Sequence, residues 1–367
     1  MEPVTVGIIG CGVISEVYMK NLSSCFSGVR IKSCADYLSG KSNIRAKQFG
    51  VLSVTPEDLL ADPEIQVVLN LTNPAAHADV SLAALQAGKH VYSEKPLATD
   101  LAAAKQILSL AEEKGLKVGC APDTILGAGL QTALKGISDG WIGRPLSACA
   151  FYTCRGHERW HSSPAFYYQP GGGPHMDMGP YYITALVAAL GNVKRVSAMS
   201  NAGFSQRFFG VGDHKGERFP VAVDTHYSAL LEFDSGCIAT VMLSFDIWAA
   251  NLPRLEIYGT GGSMSLPDPN FFDGPVGVKG IGSDGFTQLP LLNPFHENLR
   301  GIGLAQMCKA IREGGEPLVN AQLAAHVLEV LLALEISAES GTMVTCETTC
   351  QRPPLLDSGL PAVEYGL

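Results

Sequence analysis

Several features that would point elsewhere are missing from this sequence. It has no C-x-x-C pair: the ten cysteines in 367 residues are scattered, at 11, 25, 34, 120, 149, 154, 237, 308, 346 and 350. A chain of this length can build its own cores without disulfide staples, so reduced thiols and a cytoplasmic setting are expected, and no metal site. Charged residues make up only 17%, with 26 basic against 35 acidic for a net charge of −9, and no lysine or arginine run occurs. That argues against a nucleic-acid partner and against a membrane-surface patch. No segment approaches the ~18 uncharged apolar residues of a membrane span. Residues 1–12 run straight into a strand without a basic leader, so no signal peptide is expected. Internal repeats and low-complexity segments are absent as well.

What is present is an alternation of short β-branched runs and amphipathic segments. Val4–Ile9 runs into Gly10-Cys11-Gly12-Val13-Ile14-Ser15, and an amphipathic stretch from Ser15 to Leu22 follows. Strand, glycine turn and helix in that order give a G-x-G-x-x-G-like pattern its meaning: Gly10 allows the tight turn, and Gly12 lets the backbone approach a pyrophosphate at the helix N-terminus. Ser15 stands where the third glycine would be and is small enough for close packing. Val13 and Ile14 complete the turn. A second strand, 29–35, ends in Asp36, whose carboxylate can accept from a ribose diol and repels a 2′-phosphate, so NAD is expected over NADP. Lys41 and Arg45 lie nearby. Thr55-Pro56 opens a short helix, and strand 66–71 ends in Thr72-Asn73-Pro74 on the expected cofactor edge, with His77 one turn on. Gly88-Lys89-His90-Val91-Tyr92 reads as a helix end and a buried strand. Ser93-Glu94-Lys95-Pro96-Leu97 follows, putting Lys95 at the carboxyl end of a strand, where ligands of open α/β sheets sit. Helix 101–114 and strand 116–121 complete a doubly wound parallel sheet.

Gly10-Cys11-Gly12, Asp36, the Thr72-Asn73-Pro74/His77 turn and the Gly88–Pro96 segment together resemble the Gfo/Idh/MocA oxidoreductases, and the similarity runs through nearly the whole chain. The resemblance implies that Glu94 and Lys95 belong to the cofactor edge, with Lys95 beside the nicotinamide and a substrate hydroxyl. It also implies a C-terminal domain that binds substrate and often pairs protomers through its sheet, hence a homo-oligomer.

Beyond Pro122 a long helix is expected from about 125 to 139. Strands follow at 146–154, 194–201, 221–234, 237–246 and 254–259, with shorter ones near 263–266 and 276–279. Helices return at 298–313 and 321–339. The predicted fold class is therefore an N-terminal Rossmann α/β domain, 1–122, and a C-terminal α+β domain, 123–367, with a mostly antiparallel open sheet and helices on one face. Gly171-Gly172-Gly173-Pro174-His175-Met176-Asp177-Met178-Gly179-Pro180-Tyr181 is its informative stretch. The family pattern is D-x-G-x-H, and here Tyr181 stands at the histidine position. Asp177 is expected to bind substrate, and Tyr181 or His175 to be the acid–base group. A tyrosine titrates near ~10 unperturbed, so a nearby cation such as Lys95 is needed to favour its phenolate.

His157-Glu158-Arg159-Trp160-His161 matches H-E-x-x-H, yet Gly156 before it and Ser162-Ser163-Pro164 after it leave room for barely one turn. Zinc-protease chemistry needs both histidines on a sustained helix. The better reading is a loop over the pocket in which Arg155, His157, Trp160, His161 and Tyr168, with Arg159 and Tyr167, offer a sugar stacking faces and hydroxyl partners. Asp246 and Trp248 are weaker candidates of the same kind. The expected function is NAD-dependent hydride transfer at a secondary hydroxyl of a sugar, glycoside or cyclitol. Two rivals stand beside it. One is an NAD-recycling glycosidase working by transient oxidation, elimination, water addition and re-reduction; the other is a catalytically silent NAD-binding protein.

Overall fold

The computed structural model describes residues 2–356. In chain order the first elements are β1 (Val4–Ile9), α1 (Val13–Ser24), β2 (Val29–Ala35), α2 (Ser39–Phe49), β3 (Leu52–Ser53), α3 (Pro56–Ala61), β4 (Val67–Asn70), α4 (His77–Gln86), β5 (His90–Ser93), α5 (Leu101–Lys114), β6 (Val118–Cys120) and α6 (Ala128–Ser138). The strands pair in parallel in the order β3-β2-β1-β4-β5-β6. Strands covered by helices on both faces read as continuous apolar runs, and β1 and β4 are buried at every residue. Local signals place the helix ends. The Thr55 hydroxyl accepts from Asp58 N at 3.1 Å with Pro56 in the first turn, Asp100 accepts from Ala103 N at 2.8 Å, and Gly50 and Gly115 end their helices in the left-handed region.

The expected helix from 125 to 139 is interrupted. A 3₁₀ turn spans Asp123–Leu126, Gly127 is extended, and α6 begins at Ala128, whose N–H goes to Phe295 O at 2.8 Å. After it come β7 (Pro145–Thr153), α7 (Gly173–Asp177), α8 (Gly179–Leu190), β8 (Val193–Asn201), β9 (Gln206–Phe208), β10 (Arg218–Pro220), β11 (His226–Phe233), β12 (Ile238–Ser244), β13 (Leu255–Gly259), β14 (Gly262–Leu266), β15 (Gly277–Gly280), β16 (Thr287–Gln288), α9 (Ile302–Glu313), α10 (Ala321–Ser340) and β17 (Val344–Thr345). The nine-stranded sheet runs β16-β15-β14-β13-β7-β12-β11-β8-β17 and is antiparallel except for β7 with β12. The predicted strand 221–234 divides: Pro220 ends a separate two-stranded ribbon, β9 with β10, and β11 starts only at His226. Along β11, Tyr227, Ala229, Leu231 and Phe233 are buried and alternate with more open residues, the period of a half-covered sheet. Helix α8 is buried along its whole length.

The chain forms two compact units. The first holds residues 2–131, 292–328 and 353–356; the second holds Thr132–Leu291 and Glu329–Arg352. Specific polar contacts explain why 292–328 returns to the first unit. Asn21 Nδ2 donates to Asn298 O and Arg300 O at 2.8 and 2.9 Å, and the Asp123 carboxylate accepts from Gly301 N and Gly303 N at 2.7 and 3.2 Å. Those bonds also set the start of α9 at 302 rather than 298, since Gly301 caps it with φ +108°. Helix α10 is long and apolar enough to cross a membrane, but 61% of that window is buried within the protein, as in a core helix.

Candidate functional site

In the first unit the site is made largely of backbone. Gly10 lies at φ +104°, and a Cβ there would collide with the Leu71 carbonyl carbon and come within 2.5 Å of its oxygen. Gly12 caps α1, and a Cβ on it would meet nothing within 4 Å. The first N–H groups of α1 have no partner within the helix, and Val13, at its start, is 86% exposed. The Asp36 carboxylate accepts from Cys11 N at 2.7 Å and from Leu38 N at 2.8 Å, so it holds the glycine turn as well as closing β2. Arg45 is committed to α1: its guanidinium reaches Glu16 at 2.9 Å and Ser15 Oγ at 3.1 Å. An open cap, an exposed helix start and a carboxylate at the end of β2 fit a dinucleotide.

Not every residue expected on this edge faces a ligand. Thr72, Asn73 and Pro74 do end β4 with partly open side chains, the Thr72 hydroxyl donating to Asn70 Oδ1 at 2.7 Å. His77, by contrast, is buried. Its Nδ1 lies 2.6 Å from Pro96 O and its Nε2 3.0 Å from Thr72 O, and burial lowers its pKa. It ties two loops together and offers no atom to a cofactor. Glu94 is likewise buried, taking the Tyr18 hydroxyl at 2.7 Å on one oxygen and Lys95 N at 3.0 Å on the other. Both were expected as cofactor contacts; both are supports for the segment that presents Lys95. Lys95 itself is half-buried at the carboxyl end of β5, and its peptide to Pro96 is cis.

The second unit works through side chains. Pro180 has no N–H to continue a helix, so α7 ends at Asp177 and α8 begins at Gly179, with Tyr181 N donating to Met178 O at 3.1 Å. Asp177 and Tyr181 thus sit on consecutive short helices rather than one turn of the same helix. Across from α7 the H-E-x-x-H segment forms one 3₁₀ turn, His157–Arg159. Its two histidines go separate ways: His157 Nε2 is 2.7 Å from Asp177 Oδ2, while His161 Nδ1 accepts from Ser163 N at 3.0 Å. Burial, then the nearby His157, lowers the His161 pKa. Among the described residues no group of three or more His, Cys, Asp or Glu side chains is placed to hold a metal ion.

Three further expectations need correction. His157 is itself buried, so its contact with a substrate would run through Asp177. Tyr168 is fully buried; its hydroxyl donates to Glu158, and burial pushes its pKa up, so it belongs to a core cluster with Phe219 and Phe245. His175 is also fully buried. α7 packs against β11 and β12, which puts its ring 4.4 Å from that of Tyr227 and its Nε2 2.7 Å from Glu335 Oε1. That places it in the core beside Glu335. Trp160, at 62% exposure, remains open, and Arg155 lies over the rings of Trp248 and Phe204 at 4.4 and 4.6 Å.

Sequence reasoning missed Arg207. It is buried on β9, 3.1 Å from Glu158 Oε1, paired with Asp246, and donates to Phe245 O at 3.2 Å. Nothing in Gln206-Arg207-Phe208 signals this, because the carboxylates lie 49 and 39 residues away.

Comparisons with known proteins agree with this layout. An oxidoreductase family described by its NAD-binding Rossmann fold matches residues 4–121, and the GFO/IDH/MocA C-terminal domain matches residues 130–265. The chain is 27% identical over 350 residues to a 1,5-anhydro-D-fructose reductase of Ensifer adhaerens, covering 93% of this chain and 98% of that one. It is 26% identical over 344 residues to a scyllo-inositol 2-dehydrogenase (NAD(+)) of Bacillus subtilis strain 168, covering 92% and 94%. Among solved structures, levoglucosan dehydrogenase in complex with NADH and L-sorbose superposes with a TM-score of 0.83 at 22% identity, over 95% of this chain and 100% of that one.

Proposed function

The chain belongs to the GFO/IDH/MocA family of NAD-binding oxidoreductases, and from that premise we propose that it oxidises a secondary hydroxyl on a polyhydroxylated ring, a sugar, glycoside or cyclitol. The observation that carries the reading is Lys95: a half-buried cation at the carboxyl end of β5, on the same strand-end edge as the Gly10–Gly12 turn and Asp36. NAD, when bound, supplies the two-electron acceptor. Gly12, the α1 N-terminus and Asp36 would hold it, and the carboxylate favours a ribose diol over a 2′-phosphate. Arg45, engaged by Glu16, does not offset that preference.

The remaining chemistry falls to side chains. Lys95 Nζ donates to the reacting oxygen and stabilises negative charge developing there. Tyr181 Oη accepts the hydroxyl proton, which requires a cation to favour the phenolate. Asp177 accepts from a second hydroxyl, and Trp160, His161 and Arg155 give the ring a stacking face and polar partners. The sugar and cyclitol names of the relatives support this substrate class.

Homo-oligomerisation is part of the same reading. Met199, Leu230 and Ile238 lie exposed on one face of β8, β11 and β12 and would be covered by a second copy; a monomeric sedimentation coefficient would overturn this. A reducing, cytoplasmic setting is supported by ten unpaired cysteines, and cell fractionation tests it.

The functional test follows NADH absorbance and aglycone release in one tube, across free sugars, cyclitols and aryl glycosides. Stoichiometric NADH without aglycone is expected, with Lys95→Ala lowering kcat roughly 100-fold or more. Aglycone release at flat NADH absorbance would replace the reading with an NAD-recycling glycosidase. Silence in both channels would overturn it.

A further inference from the structure

We propose that His157, on the loop after β7, is a positioning residue of the second unit: it holds the Asp177 carboxylate through Nε2. Its kinetic test rests on the oxidation reading above, while the pairing itself can be tested without turnover.

The geometry is specific. Asp177 Oδ2 lies 2.7 Å from His157 Nε2, with side-chain exposures of 15% and 7%. A carboxylate that far removed from water needs a strong donor to keep its charge. The imidazole is not free to turn away, because the rings of Tyr167, Phe245 and Trp160 stand edge-on around it at 4.5, 4.6 and 5.3 Å. The loop that carries it is fixed in turn. Gly156, at φ +95°, has no room for a Cβ, which would run into the Glu158 carboxylate and the Tyr168 hydroxyl. Glu158, the next residue after His157, is held by Arg207 at 3.1 Å, with Arg155 at 3.9 Å, so its charge is answered locally and does not compete for the imidazole. His161, which is also titratable and close to the ring, keeps Nδ1 on Ser163 N.

The consequence for chemistry is preorganisation. A carboxylate whose orientation is set before binding meets a substrate hydroxyl without first losing rotational freedom. The imidazole acts through Asp177 and need not touch the substrate.

The test compares His157→Phe, which preserves ring volume but cannot donate, with His157→Gln, whose amide nitrogen can. With wild-type turnover in hand, His157→Phe is expected to lower kcat/KM roughly 10- to 100-fold, the loss of one hydrogen bond to a charged group, at unchanged NADH affinity. His157→Gln should recover to within about threefold of wild type. Equal impairment of both variants, or of neither, would overturn the proposal. A second measurement needs no substrate and covers the case in which His157→Phe fails to fold. In ¹⁵N spectra of the histidine rings, the His157 signals are identified by their loss in His157→Gln. Nε2 should carry the proton in the wild type and lose that preference in Asp177→Ala; a mixed tautomer in the wild type would overturn the pairing. Should the wild type oxidise nothing in the panel, the oxidation reading falls and the spectra alone decide on His157.

Discussion

The two units hold their polar groups by opposite means. In the first, the groups are backbone N–H donors at the start of α1, and their supports lie close along the chain or across one strand register. Cys11 N finds Asp36 beyond the neighbouring strand, Thr72 finds Asn70, and Lys95 N finds Glu94. In the second, polar side chains are held by other side chains: Asp177 pairs with His157, buried Arg207 with Glu158 and Asp246, and buried His175 with Glu335. A backbone site tolerates sequence change except where a Cβ intrudes. A site built of buried ion pairs fails when one member is lost.

The largest expected effect tests the second half of that statement. Arg207→Met removes a buried cation from between two carboxylates whose side chains are 11% and 13% exposed. Breaking a buried pair leaves uncompensated charge, so a loss of about 3–5 kcal/mol is expected in denaturant unfolding. Because Glu158 follows His157 directly, activity should fall with it. A loss under about 1 kcal/mol would show that the cluster is solvated in practice, and the contrast between the units would weaken.

This difference also explains what could be read from the sequence. The glycine turn, Asp36, the Thr55-Pro56 helix start and the position of Lys95 were legible because each depends on local conformational rules. His77 and Glu94 lie in two of the motifs but point inward, which a motif alone does not reveal: a buried support and an exposed contact look alike in one sequence. Gly156 and Pro164 confine the H-E-x-x-H segment to one 3₁₀ turn, yet nothing in them announces the pairing of His157 with Asp177. A partner 20 residues away across an irregular loop leaves no periodic signature. The burial of His175 and Tyr168 has the same origin, since only the packing of α7 and the 3₁₀ turns decides which way they face. The return of 292–328 to the first unit depends on single polar contacts, Asn21 and Asp123, that no pattern announces.

Asp123 gives an intermediate effect and shows that the first unit is not wholly backbone in character. Burial raises its carboxyl to about 6, against the backbone donors of Gly301 and Gly303, which favour the ionised form. The folded state therefore holds this proton more tightly than the unfolded chain, whose carboxyl titrates near ~3.9. The contribution is fully present below about pH 4 and is lost as pH rises through about 6. Over that window the wild type should lose about 2–3 kcal/mol relative to Asp123→Asn, which has no charge to bury. Unfolding midpoints of the two proteins at several pH values from about 4 to about 7 measure this difference. Parallel curves would mean that the carboxyl is already ionised throughout.

The smallest effect on stability is expected where the functional effect is clean. Gly12 has φ −71° and ψ −166°, a conformation open to any residue, and a Cβ there meets nothing within 4 Å. Gly12→Ala should therefore cost no more than ~1 kcal/mol, the difference between glycine and alanine at a helix N-cap free of steric clash. If the space is kept for a pyrophosphate approaching the α1 N-terminus, the added methyl displaces it, and NADH affinity should fall about 10-fold or more. Gly10→Ala is the control in the opposite sense. Its positive φ and the Leu71 and Thr72 backbone against it make that substitution costly to the fold itself, by about 1–3 kcal/mol. Calorimetric melting and NADH titration on both variants separate the two roles. A Gly12→Ala destabilised as much as Gly10→Ala, or one that binds NADH normally, would mean that the second glycine serves the turn rather than the ligand, and the first unit would then owe its site to side chains as the second does.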